Sequence, residues 1–231
     1  MSPKIITLVR HGQAHNNVDG KYYLHDPYLT PLGETQCHEL SNKFPPKPAV
    51  ELLVSSPLKR TIQTTLLGFK KLVESGVKLE LLAELQEASE LPCDTGSSRR
   101  VLEKEGMFKG LDFSGLPEDW TSKQGKWAPD PDLLRERARV VRKWLKARSE
   151  SHVVAVLHGG FLQYLTEDWA GHGDLPGPGW SNTEFRSYVF VDGGEDNVSI
   201  VETEESKKRR KGTEKPLGRT EMKQFEKVVR N

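Results

Sequence analysis

Two short apolar runs, each closed by a histidine and a glycine, constrain this chain more than anything else in it. The first is Ile5-Ile6-Thr7-Leu8-Val9, followed by Arg10-His11-Gly12. The second is Val153-Val154-Ala155-Val156-Leu157, followed by His158-Gly159-Gly160. A short β-branched run reads as a buried strand, and the glycine releases the backbone from it. Each strand then delivers an imidazole at its C-terminal end, the edge where open α/β sheets gather ligands. Arg10 adds a planar fork of donors suited to phosphate oxygens. Histidine is a nucleophile that works near neutral pH.

Around these runs strands and helices alternate, which indicates a layered α/β domain. A helix is predicted after Thr30, with Thr30 as N-cap, Pro31 at the first position and Glu34 in the first turn. A strand over residues 50–54 ends in Ser55-Ser56. Ser56 is placed to cap the next helix, with Pro57 at its first position and Leu58, Ile62, Leu66, Phe69 and Leu72 at helical spacing. A third strand is expected over residues 79–82, then helices over 131–148 and 160–169. Strands over 185–191 and 198–202, with a hairpin signal at Gly193-Gly194, close the sheet. The expected architecture is a three-layer α/β/α sandwich with a mostly parallel central sheet, filling residues 1–203.

Residues 90–130 break the alternation. They are rich in glycine and proline but carry Phe108, Phe113, Trp120 and Trp127. A long aperiodic stretch with such aromatics reads as a lid or cap insertion rather than disorder. Trp120 and Trp127 suit either packing of that cap or the mouth of a pocket. Arg99-Arg100 suits either a second anionic group on a substrate or a solvated pair.

At 231 residues the chain has room for one such domain. A net charge of +1 gives no sign of a nucleic-acid partner. Mean hydropathy is −0.62, and no apolar stretch nears the ~18 residues that span a bilayer, so no membrane partner is expected. Met1-Ser2-Pro3-Lys4 leads straight into the first strand, so no cleaved leader is expected. Cys37 and Cys93 lack metal-ligand spacing and read as reduced thiols in a cytoplasmic protein. From Glu204 onward ten basic residues stand against five acidic ones. This basic C-terminal extension, residues 204–231, is expected to be mobile or to wrap the surface. Its run at 207–211 reads as a solvated face, an anion patch or a nuclear import signal. The oligomeric state is open, a homodimer included.

Transfer of a phosphoryl group to a side chain needs a nucleophile, positive charge on the equatorial oxygens and an acid for the leaving oxygen. His11 supplies the first. Arg10 and His158 supply the second, joined by Arg60 in the first turns of the helix after the second strand. His15 follows the first loop closely enough to approach a substrate. His25, His38, His152 and His172 read as loop or helix-face residues. No HExxH, paired CxxC or DxD cluster is present, and no Gly-rich nucleotide loop, so neither metal nor cofactor is expected.

These motifs, with Asn17, Asp26, Leu29-Thr30, Gly33, Gln36, Ser55-Ser56-Pro57 and Gln63-Thr64, resemble the histidine phosphatase superfamily, the phosphoglycerate mutase-like fold, over residues 4–203. The stretch Pro92-Cys93-Asp94-Thr95-Gly96-Ser97 is most similar to fungal and other eukaryotic phosphomutase-like proteins. The resemblance implies a phosphohistidine on His11, with phosphate held by Arg10, Arg60 and His158. It puts Asn17 and Gly159 among the substrate-binding positions. It also implies a carboxylic acid after the third strand in a Leu-x-Glu pattern, which Leu85-Gln86-Glu87 and Leu82-Ala83-Glu84 both fit. Glu87 is preferred, because a carboxyl beside the lid can be desolvated and so hold a proton near neutral pH.

Glycolytic mutases of this family carry Glu-Ser after Arg-His-Gly, whereas this chain has Gln13-Ala14. Net hydrolysis is therefore expected. The chain reads as a metal-independent, histidine acid phosphatase-type phosphomonoesterase acting on a small phosphorylated metabolite. The alternatives are a phosphoglycerate mutase or bisphosphate phosphatase, and an inactive phospho-ligand-binding module.

Overall fold

The computed structural model describes residues 3–46, 49–168, 179–191 and 198–229. Six strands form one sheet: β1 (Ile5–Arg10), β2 (Leu52–Ser55), β3 (Lys78–Leu81), β4 (His152–Leu157), β5 (Phe185–Phe190) and β6 (Ile200–Glu202). Their order is β3-β2-β4-β1-β5-β6. β3, β2, β4 and β1 pair in parallel, and β5 and β6 complete one edge antiparallel. Arg10 stands beside Leu157, and Ser55 beside Val156. The C-terminal ends of β1, β2 and β4 therefore finish together, and the residues that follow them meet at one edge.

Strand side chains alternate between two faces, and both faces here are apolar. Ile6, Leu8, Leu52, Val54, Val153, Ala155 and Leu157 pack against α5 (Pro131–Ala147) and α6 (Gly159–Thr166). Val9, Leu53, Val154 and Val156 pack on the opposite side with Leu40 of α1 (Pro31–Lys43) and with Phe69, which joins α2 (Lys59–Gly68) to α3 (Lys70–Glu74). The result is the three-layer sandwich with a mostly parallel sheet. No helix among the described residues is long and apolar enough to cross a membrane.

Helix starts follow local chemistry at α1 and α5. Thr30 Oγ1 accepts from Gly33 N, and Asp130 accepts from the amides of Asp132 and Leu133, with proline next in each case. The expected Ser56 cap is corrected. α2 starts at Lys59 with no side-chain cap; Ser56 Oγ lies 2.8 Å from His158 Nε2 and makes only a long 3.5 Å contact with the Leu58 amide. The amide of Lys59 is met instead by Asp26 Oδ1 at 3.0 Å, from far along the chain. The last strand begins at Ile200, and α6 ends at Thr166, where Glu167 adopts a left-handed conformation. Trp169 and the Gly193-Gly194 hairpin signal lie outside the described residues.

Residues 83–130 form a second, smaller core of 3-10 turns and the short α4 (Arg99–Leu102). Leu102, Phe108, Phe113, Leu116, Trp120 and Trp127 pack on Ile62 of α2 and on Leu58 just ahead of it. The Trp120 indole lies against Gly96 so closely that no Cβ would fit there.

The basic extension does not trail away. Residues Glu204–Arg210 form α7 and Arg219–Val229 form α8. Arg209 stacks on Phe185 and Arg210 forks onto Glu202. Thr220, Glu221, Gln224, Phe225 and Val228 make one buried stripe along α8. Phe225 and Val228 join the main core, with Phe225 beside Tyr164. Three polar members of the stripe reach the strand ends.

Candidate active site

The loop after β1 is held by side chains of the motif residues. Gly12 N donates to Thr64 Oγ1 at 3.0 Å, Gln13 N to Gln36 Oε1 at 2.8 Å and Leu29 N to Gln63 Oε1 at 2.8 Å. The His11 ring is thereby fixed. Its Nδ1 lies 2.7 Å from the Gly12 carbonyl. A carbonyl only accepts, so Nδ1 carries the proton and Nε2 keeps its lone pair. Burial first, then the charges of Arg60 and Arg10, hold the His11 pKa well below its ordinary range. A neutral, nucleophilic imidazole at pH 7 follows.

Arg60 Nε donates to His11 Nε2 at 3.2 Å. Its fully buried guanidinium is also anchored by Nη1, which donates to the Cys93 carbonyl, and by Nη2, which donates to Asp94 Oδ1 at 2.9 Å, and one N–H on each Nη is left for a substrate oxygen. His158 meets His11 edge-on, ring centroids 5.2 Å apart. With Nε2 on Ser56, its Nδ1 is a buried atom without a protein partner, and so is Arg10 Nε. Unpaired buried polar atoms are costly, and two of them beside one nucleophile suit an anion.

Glu87 reaches the same place from the lid side. Its carboxylate accepts from the amides of Ala88, Gly160 and Phe161, at 2.7, 3.1 and 2.7 Å. Two of these belong to the first turn of α6, so the carboxyl caps the helix that His158 opens. Burial, then the Asp94 charge, push its pKa up to about 7 against those bonds. Glu84 lies elsewhere: it faces Lys126 at 3.6 Å and lines a groove with Trp127 and Arg137.

Asn17 and Gly159 face α8. Asn17 Oδ1 caps the Ala14 amide, and its Nδ2 lies 3.4 Å from Thr220 Oγ1. A Cβ on Gly159 would come within 2.7 Å of Glu221 Oε1. The Glu221 carboxylate is itself ion-paired with Arg10 Nη2. A phosphate therefore reaches that guanidinium edge only by displacing Glu221. His15 is exposed, Arg99 pairs with Glu103 at the surface, and Trp120 and Trp127 sit in the lid core.

Three further buried residues belong to this neighbourhood. Arg137 of α5 donates to the carbonyls of Gln86 and Glu87 at 3.0 and 3.3 Å, its guanidinium stacked on Phe161. A charge in the apolar stripe of Leu134, Ala138 and Val141 was the sequence signal for it. Lys123 in the lid donates to the Glu87 carbonyl at 3.4 Å, and burial lowers its pKa to about 7. Asp94 pairs with Arg60. Neither Lys123 nor Asp94 lies in a periodic segment, so only the lid's fold brings them in. Among the described residues no group of three His, Cys, Asp or Glu could hold a metal ion.

The model of the histidine phosphatase superfamily (branch 1) matches residues 6–203. A Schizosaccharomyces pombe protein named as a probable phosphatase is 30% identical over 162 residues, 68% of this chain and 74% of its own length. A phosphoglycerate mutase-like protein of Arabidopsis thaliana is 30% identical over a 250-residue alignment covering 87% of this chain and 89% of its own. Among solved structures, a mycobacterial glucosyl-3-phosphoglycerate phosphatase in complex with VO3 superposes with a TM-score of 0.55 at 19% identity. That match covers 87% of this chain and 97% of the other.

Proposed function

The chain belongs to the histidine phosphatase superfamily, and from that premise we propose that it hydrolyses a phosphomonoester of a small metabolite through a phosphohistidine on His11. The observation that carries the reading is the His11 Nε2 lone pair facing Arg60 and flanked by His158, with a carboxyl pushed up to about 7 held beside the same Arg60 and at the start of the helix that His158 opens. Nε2 attacks phosphorus while the ester P–O bond breaks, and the leaving alkoxide takes the proton of Glu87. Arg10, Arg60 and His158 stabilise the equatorial oxygens. Water then attacks the phosphohistidine and gives its proton to the Glu87 carboxylate. The P–N bond breaks, and phosphate leaves a neutral His11. Each step uses only this chain's own residues.

A mutase reading draws on one feature. His11, Arg60, Glu87 and His158 are all buried, and Gln224 of α8 bonds Asp94 beside Arg60, an enclosure of the kind that would slow the access of water to a phosphohistidine. One experiment separates the two. The protein is incubated with 3-phosphoglycerate and with a panel of phosphomonoesters, and free phosphate and 2-phosphoglycerate are measured. Hydrolysis expects phosphate, with an acid-labile, alkali-stable phosphoenzyme that His11→Ala lacks. A dominant yield of 2-phosphoglycerate replaces hydrolysis with mutase chemistry. Near-normal turnover by His11→Ala removes the nucleophile assignment.

A further inference from the structure

Asp94 is a carboxylate with no exposed surface, set one turn into the lid beside a site that must attract a phosphate dianion. A like charge in that position repels the substrate, so its presence calls for a function that offsets the repulsion. Its bonds supply one. Oδ1 accepts from Arg60 Nη2 at 2.9 Å, and Oδ2 accepts from Ser89 Oγ at 2.6 Å and Gln224 Nε2 at 2.9 Å. Held on both sides, the carboxylate is a fixed post. With the Cys93 carbonyl it takes two guanidinium nitrogens of Arg60 and leaves Nε aimed at His11 Nε2.

The same post adjoins Glu87. Ser89, two residues after Glu87, is bonded to it. A Cβ built on Gly160 would lie 2.6 Å from Glu87 Oε1 and 3.2 Å from Gln224 Oε1, so the Gln224 amide that bonds Asp94 also flanks Glu87. The titratable groups around Glu87 are the cations Arg60 from α2, Lys123 from the lid and Arg137 from α5, together with Tyr164 of α6 and His158 ahead of α6, whose burial keeps it neutral. From α8 comes the neutral Gln224. Asp94 is the negative charge that acts on Glu87; the Glu221 carboxylate of α8, beside Gly159, is paired with Arg10.

We propose that Asp94 is a positioning residue of the active site: it orients Arg60 toward His11 and, as a fixed negative charge in the same buried pocket, keeps Glu87 in its proton-donating form. The inference rests on the phosphatase reading above. Two carboxylates in one dry pocket do not ionise together. The one paired with arginine stays charged, and the other keeps its proton. The direction of the Glu87 shift, with Asp94 the largest cause after burial, agrees with this division. A purely structural Asp94 would serve only to neutralise the buried Arg60 and would leave Glu87 alone.

The test is Asp94→Asn, which keeps the shape and removes the charge. Steady-state rates are measured from pH 5 to 9 on an alkyl phosphate, whose poor leaving group needs an acid, and on p-nitrophenyl phosphate, whose leaving group does not. The alkaline limb of kcat on the alkyl phosphate moves to lower pH by one unit or more, roughly a tenfold loss above the limb. The loss on p-nitrophenyl phosphate is smaller. KM rises on both substrates as Arg60 loses its post. An unmoved limb with equal losses on both substrates overturns the inference while leaving the phosphatase reading intact. Absence of any wild-type turnover overturns the phosphatase reading instead. Gln224→Met carries the test if Asp94→Asn does not fold. It strips a donor from Asp94 while leaving the charge, and the limb moves alkaline; no movement, or an acidic one, refutes the proposal.

Discussion

Glu87→Gln tests the site through stability rather than turnover. The carboxyl titrates near 7 in the folded protein and near 4.5 when unfolded. Between those values the folded state holds a proton that the unfolded state has lost. Stability from this group is therefore full below about pH 4.5 and is lost as pH rises through about 7. Between pH 5 and pH 8 the loss comes to roughly 2–3 kcal/mol. For a chain of this size that is roughly 5–10 °C in Tm. Gln has the same shape and no titration, so it lacks this slope. It also loses part of the amide bonding from Ala88, Gly160 and Phe161, an offset that does not depend on pH. His11, His158 and Lys123 add their own pH dependence, but both proteins carry them. Guanidinium unfolding of wild type and Glu87→Gln at several pH values between 5 and 8 reads the difference. Wild-type stability falls relative to the variant as pH rises. Parallel curves would refute the buried, protonated carboxyl.

Other substitutions probe neighbouring features. Glu221→Gln removes the carboxylate paired with Arg10, and KM for a phosphomonoester falls several-fold in initial-rate assays; an unchanged KM shows that Glu221 does not compete with phosphate. Glu87→Ala slows alkyl phosphates ~10²–10⁴-fold and aryl phosphates far less, whereas Glu84→Gln leaves the ratio between them unchanged. Gly96→Ala forces the Trp120 indole off the backbone, costing ~1–3 kcal/mol as overpacking does. Denaturant unfolding followed by tryptophan fluorescence measures it, and a neutral result means the lid has slack.

Much of the sheet is legible because alternation in β1, β2 and β4 leaves apolar residues on both faces. The Thr30-Pro31 and Asp130-Pro131 starts need only local chemistry. The start of α2 is not local: its amide is met by Asp26, and the serine that resembles a cap serves His158 instead. α8 escapes a hydropathy reading because three of the five residues in its inward stripe are polar. Thr220, Glu221 and Gln224 are matched to Asn17, Arg10 and Asp94 rather than to a greasy surface. His11 and His158 stand out through strand and glycine. Asp94 and Lys123 sit in irregular backbone where no period marks an inward face, and their partners come from other elements.

α2 has two duties that tie thermal behaviour to chemistry. One flank carries Arg60, and Ile62, with Leu58 at the helix's N-cap, is the floor on which the aromatic lid core rests. That satellite core has fewer buried apolar residues than the main core, and segments with few such contacts open at lower free energy. Once it loosens, the guanidinium loses its footing although the sandwich still stands. Heat inactivation will therefore precede the calorimetric transition, and cooling within that gap will restore the catalyst without refolding the sheet.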